Sequence, residues 1–128
     1  VARDGAAPAG AGGRRGRLLA DIQYVASSAG SIYANPASTK TFIAGFTLFN
    51  GNTTAETVKL YNVPDSVGSL GTAGVSNQFL EISLASLETF VFEAPADGIV
   101  LSDTNDAIFA TTTTASKVTV MIHGTKDV

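Results

Sequence analysis

The stretch Thr41–Pro64, TFIAGFTLFNGNTTAETVKLYNVP, constrains the fold more than any other part of the chain. Side chains on a strand alternate between faces, so Phe42, Phe46 and Leu48 share one face of a first strand. Val58 and Leu60 share one face of a second. Between them, Asn50–Ala55 supplies Gly, Asn and Thr, which accept positive φ or bond their own backbone in turns. The run therefore predicts a β-hairpin. Gly45, inside its first strand, marks a bulge, a close approach by other backbone, or a tolerated weak spot. An isolated hairpin is marginal in water, so the rest of the chain must cover its apolar face.

Short strands on both sides supply that cover. Leu18–Ala26 reads as a strand in which Ile22 and Tyr24 alternate with Gln23. Ser27–Thr39 reads as a loop turning at Asn35-Pro36, with Ile32 and Tyr33 as a short strand or an anchor. Pro64–Asn77 is a long Gly- and Ser-rich connection carrying Val67, Leu70 and Val75. These three either fold back onto the domain or form a surface for a partner. Gln78–Leu84 places Leu80, Ile82 and Leu84 inward, and Thr89–Glu93 places Phe90 and Phe92 on one face, which predicts a second hairpin. Ile99–Leu101 is expected as a short buried strand and Asp103–Asp106 as a turn before Ala107–Thr112. Lys117–His123 closes the domain with Val118, Val120 and Ile122 inward, and the last five residues are expected to fray. About eight short strands with turn signals between them predict an all-β fold. The expected architecture is a single compact antiparallel β-sandwich, Ig-like or jelly-roll-like, with an extended N-terminal arm.

The arm is residues 1–17 and the sandwich domain residues 18–128. Val1–Arg17 holds five Gly and five Ala and almost no bulky apolar side chain. Such a segment cannot offset the cost of ordering its own backbone. Charge divides along the same line. Residues 1–20 carry four arginines against one aspartate, net +3, and residues 21–128 carry four lysines against ten acids, net −6. Arg3, Arg14, Arg15 and Arg17 are thus candidates for pairing with an acidic partner surface. Nucleic acid is a weaker alternative, because no aromatic residue lies among the arginines to stack on bases. No apolar run approaches a bilayer span, and no signal-peptide pattern is present.

No residue pattern here calls for catalysis, a metal or a cofactor. His123 is the only histidine and reads as a solvated side chain. No serine stands in a nucleophile-elbow context. Asp103-Thr104-Asn105-Asp106 lacks the glycine of a calcium loop and reads as a turn. Glu81, Glu88 and Glu93 are expected on two adjacent strands, but without the tryptophans that line sugar-cleaving clefts they read as a solvated face. Without cysteine, the 128 residues can form neither a disulfide nor a thiolate metal site.

Three blocks in order carry a family resemblance: TFIAGFTLFNGNTTAETVKLYNVP, SLASLETFVFEAPADGIVLSDTNDAIFA and ASKVTVMIHGTKD. Together they resemble small β-sandwich virion proteins of tailed bacteriophages, of the capsid cement or decoration type. The resemblance spans roughly residues 40–125 and leaves the arm outside. It implies a non-enzymatic structural protein on the capsid surface of the virion, bound to the major capsid protein and self-associated as a homotrimer. Neck, tail or fibre proteins use similar sandwiches, and a carbohydrate-binding module on a host-facing fibre is a further alternative.

Overall fold

The computed structural model describes residues 16–96 and 98–128 of the chain. Among the described residues nine strands form: β1 Gly16–Tyr24, β2 Gly30–Ala34, β3 Lys40–Asn50, β4 Glu56–Val63, β5 Gln78–Leu84, β6 Thr89–Glu93, β7 Ile99–Leu101, β8 Ala107–Thr112 and β9 Val118–Asp127. They make two antiparallel sheets. Sheet one runs β1-β9-β3-β6, with β7 also paired to β3, and sheet two runs β2-β8-β4-β5.

The pairing follows one nested pattern. β1 pairs with β9, β2 with β8, β3 with β6 and β7, and β4 with β5. The chain is one long antiparallel ladder folded at residues 64–77 and then wrapped, so that β9 also meets β3 and β8 also meets β4. This wrapping is the jelly roll, which decides between the two sandwich types expected.

Neither expected hairpin exists. β3 lies in sheet one and β4 in sheet two, and β5 and β6 are divided in the same way. Asn50–Ala55 and Ala85–Glu88 therefore cross the sandwich. Each links the two inner faces, which explains why the flanking strands all carry apolar residues on one side.

A bulge corrects the reading of β3. Its register against β9 shifts between Ile43 and Gly45. Thr41 and Ile43 face inward before the shift, and Phe46, Leu48 and Asn50 after it, so Phe42 does not share the face of Phe46. Gly45 is both a bulge residue and a close approach, since a Cβ there would collide with the carbonyl oxygen of Phe92. Gly124 lies against the same bulge, where a Cβ would collide with the carbonyl oxygen of Phe42. Gly124→Ala must therefore push two paired strands apart. It is expected to destabilise the fold by about 1–3 kcal/mol, read as a lower urea midpoint.

The core lies between the sheets. Ile43, Phe46, Leu48, Val120 and Ile122 from sheet one meet Val58, Leu60, Leu84 and Ile108 from sheet two, all fully buried. The rings of Phe46, Phe92 and Phe79 stand 5.9–6.2 Å apart and bridge the sheets. Phe79 reaches this group because β5 slips register between its pairings of Leu80 with Leu60 and Gln78 with Tyr61. A second, smaller cluster of Tyr61, Val63, Ala107 and Phe109 lies on the outer side of sheet two, with Ala34 and Ala73 packed on it.

Other boundaries also moved. β1 opens at Gly16, two residues inside the expected arm, and Arg17 pairs there with Lys126. Arg3, Arg14 and Arg15 lie outside the described residues, as does the rest of the expected arm to residue 15. β9 continues to Asp127 instead of fraying, because Gly124 to Asp127 pair with both β1 and β3. Of Ile99–Leu101 only Leu101 is buried, and Val100 points outward.

Candidate interaction surface

The polar side chains drawn inside the sandwich are occupied in holding loops. At the end that carries residues 35–39, 64–77 and 102–106, Asn35 is buried. Its Nδ2 donates to the carbonyls of Thr39 (2.7 Å) and Asp103 (3.1 Å), and its Oδ1 accepts from Thr41 Oγ1 (2.7 Å). Asp106 accepts backbone N–H groups from Asp65 (3.0 Å), Asp103 (2.9 Å) and Ser102 (3.3 Å). Burial alone pushes the Asp106 carboxyl up, but these N–H groups outweigh it and hold the group below its ordinary value. The residues Asp103–Asp106 thus form the expected turn, closed by Asp106 N–H on the Asp103 carbonyl (3.0 Å). Asn105 Nδ2 donates to the Gly68 carbonyl (2.7 Å) and ties the turn to the long loop.

Asp65, Asp103 and Asp106 place carboxylate oxygens within 4.8 Å of one another. Two of the three are engaged in shaping these loops, Asp106 as above and Asp65 through the Gly68 N–H (2.8 Å). The cluster is accounted for as a loop clasp.

At the opposite end, Asn50 and Glu56 flank the crossover of residues 51–55. Asn50 Nδ2 donates to the carbonyls of Thr54 and Leu84, both at 3.0 Å. Glu56, only 2% exposed, accepts from Asn52 Nδ2 (2.8 Å), Thr112 Oγ1 (3.0 Å) and the Thr114 N–H (2.8 Å). Neither residue attracted notice in the sequence beyond the polar turn it borders. Three acceptor contacts on one carboxylate become visible only when β4 and the end of β8 are adjacent.

The remaining candidates disperse. His123 is half-buried on the outer face of sheet one, with its ring over Gly45. Glu81 and Glu93 were expected on neighbouring strands but belong to different sheets, on β5 and β6. Glu88 lies in the crossover between them and accepts the Ala85 N–H at 2.7 Å. No helix among the described residues is long and apolar enough to cross a membrane.

Two apolar surfaces are left open. The loop 64–77 covers the outer cluster of sheet two through Ala73, but it turns Val67 (101% exposed), Leu70 and Val75 (92% exposed) outward. Among the described residues, the outer face of sheet one also exposes apolar side chains. Leu18, Ile22 and Tyr24 of β1 are 86, 65 and 62% exposed, and Phe49, Val91 and Met121 are also exposed on neighbouring strands. Ile22 lies opposite Met121, Met121 opposite Thr47, and Thr47 opposite Val91, so one row of three exposed apolar side chains and the half-buried Thr47 crosses the whole sheet. Single exposed apolar residues are ordinary, whereas a contiguous row is the kind of surface that protein partners cover.

A known pilus chain shares this architecture. It comes from the solved structure described as "Bacillus endospore appendages form a novel family of disulfide-linked pili", and superposes with a TM-score of 0.51 at 13% identity, covering 97% of each chain. At that identity the likeness is one of fold. No protein family and no curated protein matches the sequence.

Proposed function

We propose that this chain is a non-enzymatic structural subunit, a jelly roll that works by contact inside a larger protein assembly. The observation that carries the reading is the open apolar surface, on the outer face of sheet one and on the loop 64–77, in a domain whose buried polar groups are spent on holding its own loops. The specific form we favour is capsid cement or decoration on a tailed bacteriophage, bound to the major capsid protein. The ordered sequence blocks support it, and the fold is compatible with it.

The test is location and copy number. Immunogold labelling and quantitative mass spectrometry of purified particles should find the protein over the shell, in numbers comparable to the major capsid protein. Confinement to one vertex would move it to the neck or tail, and absence from particles would overturn the cement reading. Val67→Asp with Leu70→Asp and Val75→Asp is expected to weaken attachment to the shell. The melting temperature should stay nearly unchanged, because exposed substitutions cost within about 0.5 kcal/mol each. A truncation that tests the arm belongs after residue 15, since residues 16 and 17 are part of β1.

Filament building is a second reading, supported by the fold shared with the pilus chain. The 128 residues contain no cysteine, so disulfides cannot link such filaments through this domain. Electron microscopy of the concentrated purified protein separates the readings: long filaments favour the second, and discrete particles disfavour it.

A further inference from the structure

Sheet edges expose unpaired backbone groups, and folded proteins usually blunt them with short strands, bulges, breaks or charge. Among the described residues, three of the four edges are blunted. β2 has five residues and a register shift between Ser31 and Tyr33. β5 carries the slip at Phe79 and the exposed Glu81. On the far side of sheet one, β6 and β7 are separate short pieces, interrupted by a turn with positive φ at Ala96 and Gly98.

β1 differs in length and regularity. It runs nine residues, pairs with β9 without a register shift and contains no proline, and its charged positions, 17 and Asp21, lie off its outward row. Its outward row is Leu18, Ala20, Ile22 and Tyr24, all exposed and all without charge.

We propose that β1 is a self-pairing edge, joining two copies of the chain antiparallel about a two-fold axis at Ala20. Directly opposite residues in an antiparallel pair share a face, so a two-fold normal to the sheet must pass through a residue position. Ala20 is the midpoint of Gly16–Tyr24, and only there do all nine positions overlap. That register sets Leu18 against Ile22 of the second copy at both ends and Ala20 against Ala20 at the centre. Position 17, an arginine, falls diagonal to Asp21 of the second copy. A centre at Asp21 would instead oppose two carboxylates, which is destabilising. Sheet one then continues through both copies, and the exposed row across its outer face becomes twice as long.

Self-pairing gives the proposed structural subunit a contact with its own kind, and so rests on that reading for its purpose. Solution state and particle location are read separately, so either can fail alone. The purified chain should sediment as a dimer at micromolar concentration. Because the sequence has no cysteine, Ala20→Cys introduces a single thiol on the axis. Opposed Cα atoms about 4.5–5.5 Å apart suit a disulfide. Mild oxidation should therefore link Ala20→Cys chains rapidly, and Glu81→Cys chains on the blunted β5 edge slowly. Ile22→Lys should weaken the dimer at least about tenfold while the circular dichroism of the folded chain is unchanged. Adding Leu18→Glu, which opposes each new lysine with a carboxylate, should restore it. A monomer or a trimer at all concentrations, equal cross-linking at residues 20 and 81, or failure of the second substitution to rescue the first would overturn the proposal.

Discussion

Phe46→Ala is expected to remove about 3–5 kcal/mol of stability, the range for truncating a fully buried phenylalanine. Domains of this size are stable by only about 5–15 kcal/mol, so the variant should be close to unfolded at ambient temperature. The magnitude follows from where the ring sits. Phe46 is fully buried and touches Phe92 of its own sheet and Phe79 of the other, with centroids at 6.1 and 6.2 Å. Its loss opens a cavity between the layers and removes the shared member of the aromatic group. Phe79→Leu, at the half-buried edge of that group, should cost much less. Urea unfolding followed by circular dichroism measures both. Equal effects would mean that the aromatic contact does not join the sheets.

Glu56→Ala should cost about 2–3 kcal/mol at neutral pH, because it deletes one carboxylate and leaves Thr112 and the Thr114 N–H without their acceptor. The same residue makes stability depend on acid. Burial alone pushes the Glu56 carboxyl up, but hydrogen bonds from Asn52, Thr114 and Thr112 outweigh it and hold the group below its ordinary value of 4.5. The unfolded chain then takes up the proton at higher pH than the folded one. The stabilisation is therefore complete above 4.5 and is lost as pH falls through the lower folded value. Asp106, held below its ordinary 3.8, adds to the same acid limb. Melting temperatures taken at falling pH should show the gap between wild type and Glu56→Gln constant near neutrality and narrowing below about pH 4.5. A gap independent of pH would mean that the carboxylate's charge contributes nothing.

Strand positions were largely legible in the sequence, and strand partners were not. Alternation in Gln78–Leu84, Thr89–Glu93 and Val118–Ile122 reports which face of a strand is apolar, and those faces proved inward. It carries no information on which sheet a strand joins. A crossover between inner faces and a hairpin on one face both read as two apolar rows around a polar turn. What separates them is the pair Asn50 and Glu56, whose roles depend on Leu84 and Thr112, 34 and 56 residues further along the chain. Ile43 was missed as core because the bulge before Gly45 inverts the period on which the reading relied. Ile22 and Tyr24 alternate as a strand should, but Leu19 and Val25 are apolar as well, so local pattern could not tell the buried face from the open one.

The nested ladder bears on how the protein is made. β9, the last strand of the domain to leave the ribosome, lies between β1 and β3 and pairs with both along most of its length. Until it emerges, two strands synthesised early have no neighbour on that side, and their apolar residues wait through most of translation. Pairings such as Gly16 with Asp127 also close the largest loop the domain contains, which places it among slow-folding, high contact-order topologies. Chains stalled before Val118 should therefore be the aggregation-prone and protease-sensitive species in a cell producing this protein.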